Sequence, residues 1–345
     1  MLRPGPSNLI TDVAGLSIGQ ASDARLRSGV TVILGDGPLR AAVDIRGGGP
    51  GTRETVTLAS GGVVREIHAL VFSGGSAFGL DAATGVQSYL RERGIGFAVG
   101  PARVPIVPQA IIFDLLNGGD KRWGRHPPYR DLAYEACHAA ARSFALGTAG
   151  AGFGATVAQG APGRRMMGGT GSASLVTEEG ITLGALAIVN AAGTLTIGET
   201  AHFWAAPLEL DGEFGGLGVP QALPPHPQRL ILKGAPGENT TLAAVATDAT
   251  LNRDDLKRLA IMAQTGLARA IVPVHTPLDG DAVFALSTGA RPFAADPWRL
   301  AKLGALAAET LARAVARAIY EARDPDPQPG FAPSYSALFG GLKSR

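Results

Sequence analysis

The sequence predicts an α/β layered domain. Short apolar runs bounded by glycine and proline alternate along the chain with segments of helical period. Strands interleaved with helices in this way pack as layers around a shared core. The composition can fill that core, because 46% of the 345 residues are hydrophobic and only 17% are charged, which excludes disorder. The 48 glycines mark many tight turns and close backbone approaches.

VTVIL (30–34) and AAVDI (41–45) read as two strands, separated by GDGP and followed by the RGGGPG turn. EIHALVFS (66–73) reads as a buried strand. In GGSAFGLDAATGVQSYLRERG the apolar residues Phe78, Ala82, Val86 and Leu90 recur every four. That spacing predicts a helix over about 77–93, capped by Ser76 and closed by Gly94. Residues 97–107 are strand-like, a polar loop runs on to His126, and a helix near 130–145 carries Cys137. The glycine-dense stretch 147–171 has no helical period and reads as a long structured loop or a pair of short strands. ITLGALAIVNAAGTLTI (181–197) predicts a strand, a turn about residues 190–193, and a second strand. Residues 201–236 are proline-rich and without period, a length uncommon in a compact domain unless it is functional or disordered. LAAVATDA (242–249) is a buried strand, and Asn252 caps a helix with Leu256, Leu259, Ala263 and Leu267 on one face. DAVFALSTG (281–289) is a further strand. A last helix spans about 297–322, before a loose tail, DPDPQPG.

Several function classes are excluded. A net charge of +2, from 31 basic and 29 acidic residues, gives no electrostatic case for nucleic acid or an anionic membrane as partner. There is no apolar run of about 18 residues, so no transmembrane helix is expected. The start, MLRPGPSNLITD, lacks the apolar stretch of a signal peptide, and a cytoplasmic protein is expected. Cys137 stands alone, so it forms no intrachain disulfide and reads as a small buried hydrophobe. The six histidines show no metal spacing, and neither a metal nor another cofactor is predicted. GAGFGA (150–155) fits a dinucleotide pattern, but Gly160 and Pro162 bar the helix that must follow it. Ser76 misses the nucleophile-elbow pattern because Phe78 stands where the second glycine belongs. Besides capping a helix, Ser76 is a candidate for holding an oxyanion or a substrate carboxylate through backbone amides.

Two segments carry candidate chemistry. In GENTTLAAVATDA (237–249), Asn239-Thr240-Thr241 separates a Pro/Gly-rich stretch from a buried strand. It reads either as a polar turn or as a self-cleavage site. In the second reading the Thr240 hydroxyl attacks the Asn239 carbonyl and the resulting ester hydrolyses. The freed α-amine, with a reference pKa of about 7.7–8.0, then acts as base for the hydroxyl beside it, and no triad histidine is needed. HTPLDGDAVFALSTG (275–289) sets Asp279 and Asp281 at the mouth of a strand. They form an Asp-Gly turn, half of a cation loop, or a pair that orients a threonine hydroxyl and holds an α-ammonium.

In order, NLITDVAGLSIGQ (8–20), DIRGGGPGTRET (44–55), FSGGSAFGLDAATGV (72–86), GAGFGAT (150–156) and the two segments above resemble the L-aminopeptidase/D-esterase (DmpA-like) family. These are self-processing hydrolases that include β-peptidyl aminopeptidases and nylon-oligomer hydrolases. The resemblance covers nearly the whole chain. It implies a four-layer αββα sandwich, DmpA- and ornithine-acetyltransferase-like. It implies one domain, 1–345, cut between Asn239 and Thr240 into an α fragment (1–239) and a β fragment (240–345). Thr240 would become the N-terminal nucleophile, Asp279 and Asp281 would orient it, and Asn190 would stabilise the oxyanion. The implied activity is aminopeptidase-type hydrolysis of short peptides or amino-acid amides by a tetramer of cleaved subunits. Two departures stand out. Many relatives carry Lys where this chain has Gln159, and some carry Tyr where it has Phe113, while others share the Phe. The first bears on the nucleophile or on self-cleavage, and the second on substrate choice, so Ser76, Phe113 and Gln159 are the candidate substrate-side residues. Two other outcomes remain open: acyl transfer to an amine, as in ornithine acetyltransferases, and an unprocessed, non-catalytic member.

Overall fold

A computed structural model describes residues 2–159, 164–225, 231–233, 239–324 and 332–340. His226, the first two residues of the GENTT motif (Gly237 and Glu238) and most of the DPDPQPG tail lie outside the described residues. In chain order the elements are β1 (Leu16–Asp23), β2 (Ser28–Ile45), β3 (Thr52–Arg53), β4 (Ile67–Ser73), α1 (Ala82–Glu92), β5 (Phe97–Val99), β6 (Ala102–Val104), β7 (Gln109–Ile111) and α2 (Tyr129–His138). They continue with β8 (Thr156–Ala158), β9 (Arg165–Met167), β10 (Gly169–Val176), β11 (Thr182–Asn190), β12 (Thr240–Ala249), α3 (Arg253–Ala270), β13 (Ala282–Arg291), α4 (Pro297–Tyr320) and α5 (Tyr335–Phe339).

Nine of the described strands form one hydrogen-bonded sheet: eight run in the order β10-β11-β12-β13-β2-β4-β7-β3, and β1 pairs with β2 off that path. The long β2 belongs to both halves. Its Val30–Leu34 part pairs with β1 and β4, and its Arg40–Ile45 part pairs with β13. Side-chain alternation then separates three cores. Val30, Val32, Ala69 and Val71 face α1 and α2. Ile33, Phe72, Leu186, Ile188, Leu242, Phe284 and Leu286 meet between the two halves of the sheet. Leu183, Ala185, Ala243, Val245, Val283 and Ala285 face α3 and α4. Three cores between four layers make an αββα sandwich, and the expected fold class is borne out.

Local signals and structure agree where capping sets the boundary. The Asn252 side chain accepts the Asp255 N–H and starts α3 where predicted, an interaction typically worth about 1 kcal/mol. Gly94, at φ +68°, follows the last turn of α1.

Elsewhere tertiary pairing overrides the local reading. The two strands expected at 30–34 and 41–45 are one. GDGP is a bulge in which four residues of β2, 35–38, oppose the single residue His68 between the Leu34–Ala69 and Leu39–Ile67 pairs. The helix near 130–145 stops at His138, because Ala141 exchanges backbone hydrogen bonds with Ile18. Instead of one strand over 97–107, residues 97–104 form a largely exposed hairpin, β5–β6, and 105–107 turn back into the core. The second strand expected after the turn at 190–193 is absent, since Thr194 makes only isolated bridges, to Ala158 and Val272. Ser76 does not cap α1. It lies inside a 3₁₀ turn (Ser76–Asp81) whose cap position is Gly75, and no side chain caps that turn.

Candidate active site

β11 ends at Asn190 and β12 begins at Thr240, and these two residues are opposed in antiparallel register. On the other side of β12, Asn239 bridges Asp279 just before the parallel pairing of β12 with β13. Three segments distant in sequence thus meet at one end of three adjacent strands. These four residues and Asp281, two positions further along the turn, are all buried; Thr240 is 3% exposed and both aspartates are 1% exposed.

Thr240 Oγ1 donates a hydrogen bond to the carbonyl oxygen of Asn239. The Gly280 N–H donates to the same oxygen at 3.0 Å. The side-chain amide of Asn239 is buried with neither of its polar atoms paired. A Cβ on Gly280 would lie 2.8 Å from Thr240 Oγ1 and 2.8 Å from the Gly49 carbonyl oxygen, so only glycine lets the Asp-Gly-Asp turn close on Thr240. The 46–51 loop clasps that turn. Arg46 and Gly47 donate to the Asp281 carbonyl at 3.0 and 3.2 Å, and Gly49 donates to the Asp279 carbonyl at 2.8 Å.

Both carboxylates are held by groups around Thr240. Asp281 Oδ1 accepts the Thr241 N–H at 2.7 Å, and Oδ2 meets the His275 N–H at 3.1 Å and His275 Nδ1 at 2.9 Å. Asp279 Oδ1 accepts the Ala192 N–H at 3.0 Å, and Oδ2 accepts the Thr276 hydroxyl at 2.5 Å. Burial, and then the charge of Asp281, push the Asp279 carboxyl above its ordinary range. Neither carboxylate bonds the Thr240 hydroxyl while the chain is continuous, among the described residues.

The Asn190 side chain is oriented by three neighbours. Its Oδ1 accepts the Thr156 N–H at 2.9 Å and the Lys233 ammonium at 3.0 Å, while its Nδ2 donates to the Phe113 carbonyl at 3.0 Å. Phe113 thus meets Asn190 through its backbone, and with Asn117, Arg165 and Lys233 it lines a small cleft. That cleft adjoins a larger one, of about 190 Å³, walled by Leu116, Phe153, Thr156 and Met167. Gln159 is buried three residues beyond Thr156 and pairs its N–H with the Arg164 carbonyl, with no bond to Thr240 or Asn190. Ser76 reaches the area through its backbone alone, donating to the Ile112 carbonyl at 3.0 Å. A separate cleft of about 380 Å³ beside Arg65 and Arg253 holds none of these residues.

The features set aside in the sequence have structural explanations. GAGFGA leads into β8, not a helix, and a Cβ on Gly154 would strike the Arg27 carbonyl at 2.2 Å. Burial pushes the Cys137 thiol up to about 12. Among the described residues no group of three His, Cys, Asp or Glu is placed to hold a metal ion, and no helix is long and apolar enough to cross a membrane.

Sequence reasoning missed Lys233, His275, Thr276, Gly280 and Asp114. The middle three lie inside a motif already singled out, so its length was the available signal. Asp114 is buried in the wall of the small cleft. It accepts the Gly75 N–H at 2.7 Å and the Ser28 hydroxyl at 2.5 Å, and Tyr129 donates to Ser28 at 3.1 Å. Burial raises the Asp114 pKa above its ordinary value. The folded chain therefore holds this proton more tightly than the unfolded chain. The stabilisation is full below an unfolded pKa of about 3.9 and is lost as pH rises through the folded pKa. Asp114→Asn is expected to flatten that fall, as read from urea midpoints across the pH range.

A family model described as Peptidase family S58 matches residues 8–329. The "uncharacterized aminopeptidase Rv1333" of Mycobacterium tuberculosis (strain ATCC 25618 / H37Rv) is 43% identical over 97% of this chain and 98% of its own length. A 6-aminohexanoate-oligomer endohydrolase of Paenarthrobacter ureafaciens is 30% identical over 82% of this chain and 76% of its own. Among solved structures, a Burkholderia sp. beta-aminopeptidase superposes with a TM-score of 0.70 at 22% identity, covering 98% of this chain and 93% of that one. The L-aminopeptidase D-Ala-esterase/amidase of Ochrobactrum anthropi gives 0.68 at 23% identity, covering 97% and 93%. Both share the fold.

Proposed function

The chain belongs to peptidase family S58, and from that premise we propose an aminopeptidase-type amide hydrolase that cuts itself between Asn239 and Thr240 and then uses Thr240 as nucleophile. The observation that carries this reading is the Thr240 hydroxyl resting on the carbonyl of the preceding peptide, with the Gly280 N–H on the same oxygen. In the first step Thr240 Oγ1 attacks the Asn239 carbonyl carbon, and Gly280 holds the developing oxyanion. The C–N bond then breaks, and the Thr240 nitrogen takes up the proton from the hydroxyl. Water hydrolyses the ester, leaving the Asn239 carboxylate and a free α-amine on Thr240.

In the mature enzyme that amine takes the Oγ1 proton as Oγ1 attacks the substrate carbonyl. Asn190 Nδ2 stabilises the oxyanion, the protonated amine returns its proton to the leaving amine, and water releases the acyl group. Asp279 and Asp281 lie on the turn beside the new terminus and hold its ammonium form. The substrates are short peptides or amino-acid amides, in keeping with the names of the relatives, and no cofactor is required. Phe113 and Gln159 shape the substrate side together with the Ser76 turn. The two fragments stay together, because β12 and β13 lie between β11 and β2, and the cleaved subunits form a homotetramer.

Denatured mass with N-terminal sequencing tests the reading. Fragments of 239 and 106 residues are expected, about 24 and about 11 kDa in proportion to the 35.2 kDa chain, the smaller starting Thr-Thr-Leu-Ala. A single species of full mass after prolonged incubation would overturn it.

A further inference from the structure

We propose that Lys233 is a positioning residue of this site: its ammonium fixes the side-chain amide of Asn190 so that Nδ2, not Oδ1, faces the reacting carbonyl. The inference rests on the function proposed above. An asparagine amide has two nearly isosteric orientations, and only one offers a donor. Turned the other way, Asn190 would set a carbonyl oxygen against a developing oxyanion. Oδ1 receives a neutral donor from Thr156 at 2.9 Å and a charged one from Lys233 at 3.0 Å. The Phe113 carbonyl accepts from Nδ2 at 3.0 Å and favours the same orientation, but that bond and the one from Thr156 are neutral, and a charged donor is roughly twice as strong, so Lys233 supplies the largest single share of the preference.

The lysine is itself held in place. It is 2% exposed, and its backbone N–H donates to the Ala192 carbonyl at 2.8 Å. Its ammonium also donates to the Thr156 carbonyl at 2.8 Å and reaches the Asn190 carbonyl at 3.4 Å. A lysine buried this deeply is rare and costs desolvation, so a placement on the amide opposite Thr240 calls for an account. A cation on Oδ1 also draws electron density from the amide and strengthens Nδ2–H as a donor. Lys233 acts through Asn190 and needs no contact with substrate.

A double-mutant cycle in the full-length chain tests this. Self-cleavage rate, and kcat and KM on alanine p-nitroanilide, are measured for the parent, Lys233→Met, Asn190→Ala and the pair. Lys233→Met is expected to slow both reactions by about 10²-fold, the scale of one oxyanion donor, with KM within about twofold. The double variant is expected to be no slower than Asn190→Ala alone. Losses that multiply, a loss confined to KM, or no loss would each overturn the proposal. If the methionine variant fails to fold by circular dichroism, Lys233→Gln, which keeps an N–H donor and removes the charge, enters the same cycle. Thr240→Ala is the control for the parent reading. Cleavage surviving in that variant removes the nucleophile assignment, whereas multiplicative losses in a parent that still cuts at Thr240 remove only the role of Lys233.

Discussion

Thr240→Ala is expected to yield one chain of 35.2 kDa with no amidase activity. Among the described residues, the substitution removes the one nucleophilic atom resting on the Asn239 carbonyl. Losing a catalytic nucleophile costs on the order of 10⁶ in kcat. The fold should barely notice. The methyl group of alanine fills the same buried start of β12, and one hydrogen bond to a neighbouring carbonyl is worth about 1 kcal/mol. Gel analysis and a urea midpoint on the same sample separate the two effects. Thr240→Ser restores a hydroxyl at the same position and is expected to cut.

Asn190→Asp is expected to lower kcat steeply while the two donors to its side-chain oxygen stay paired. The carboxylate keeps an acceptor for the Thr156 N–H and for Lys233, so both buried partners stay satisfied. The donor is lost, and an oxygen replaces it opposite the Phe113 carbonyl, the present partner of Nδ2. Loss of one oxyanion donor lowers kcat by about 10²–10³-fold, and the added negative charge acts in the same direction. Steady-state kinetics should show that fall, and the new oxygen–oxygen contact at Phe113 should lower the thermal midpoint as well, so kcat is compared at a temperature where the variant is folded. Unchanged kcat would exclude Asn190 as the oxyanion group.

Much of the fold was legible because local chemistry and tertiary structure agree over long stretches. The strand beginning at Thr240, the Asn252 cap and the helix ending before Gly94 each carry their own signal. Misreadings arose where a partner distant in sequence decided the outcome. GDGP looks like a chain reversal, but β4 and β13 hold β2 extended on either side of it. Residues 139–145 continue an apolar pattern, yet Ile18 claims the backbone of Ala141. The site divides in the same way. Asn239, Thr240, Asp279 and Asp281 sit in two short motifs whose residue types already suggest the chemistry. That Asn190 lies opposite Thr240 is a fact of strand register, which neither local sequence contains. Lys233 lies in a proline-rich stretch without periodicity, and its importance comes wholly from what it touches.

β12 and β13 occupy the middle of the sheet, with β11 on one flank and β2 on the other. One consequence concerns time. A continuous chain folds as a unimolecular process, with the central strands tethered to their neighbours. Cut at Asn239–Thr240, the molecule loses that tether while every contact persists. Once unfolded, its halves must find each other by diffusion, so refolding becomes second order and depends on concentration. Heat inactivation of a form cleaved as proposed would then be a matter of unfolding rate, not of an equilibrium. Under the cleavage proposed above, peptide-bond continuity at this position would be available when the sheet first assembles and absent from any later refolding.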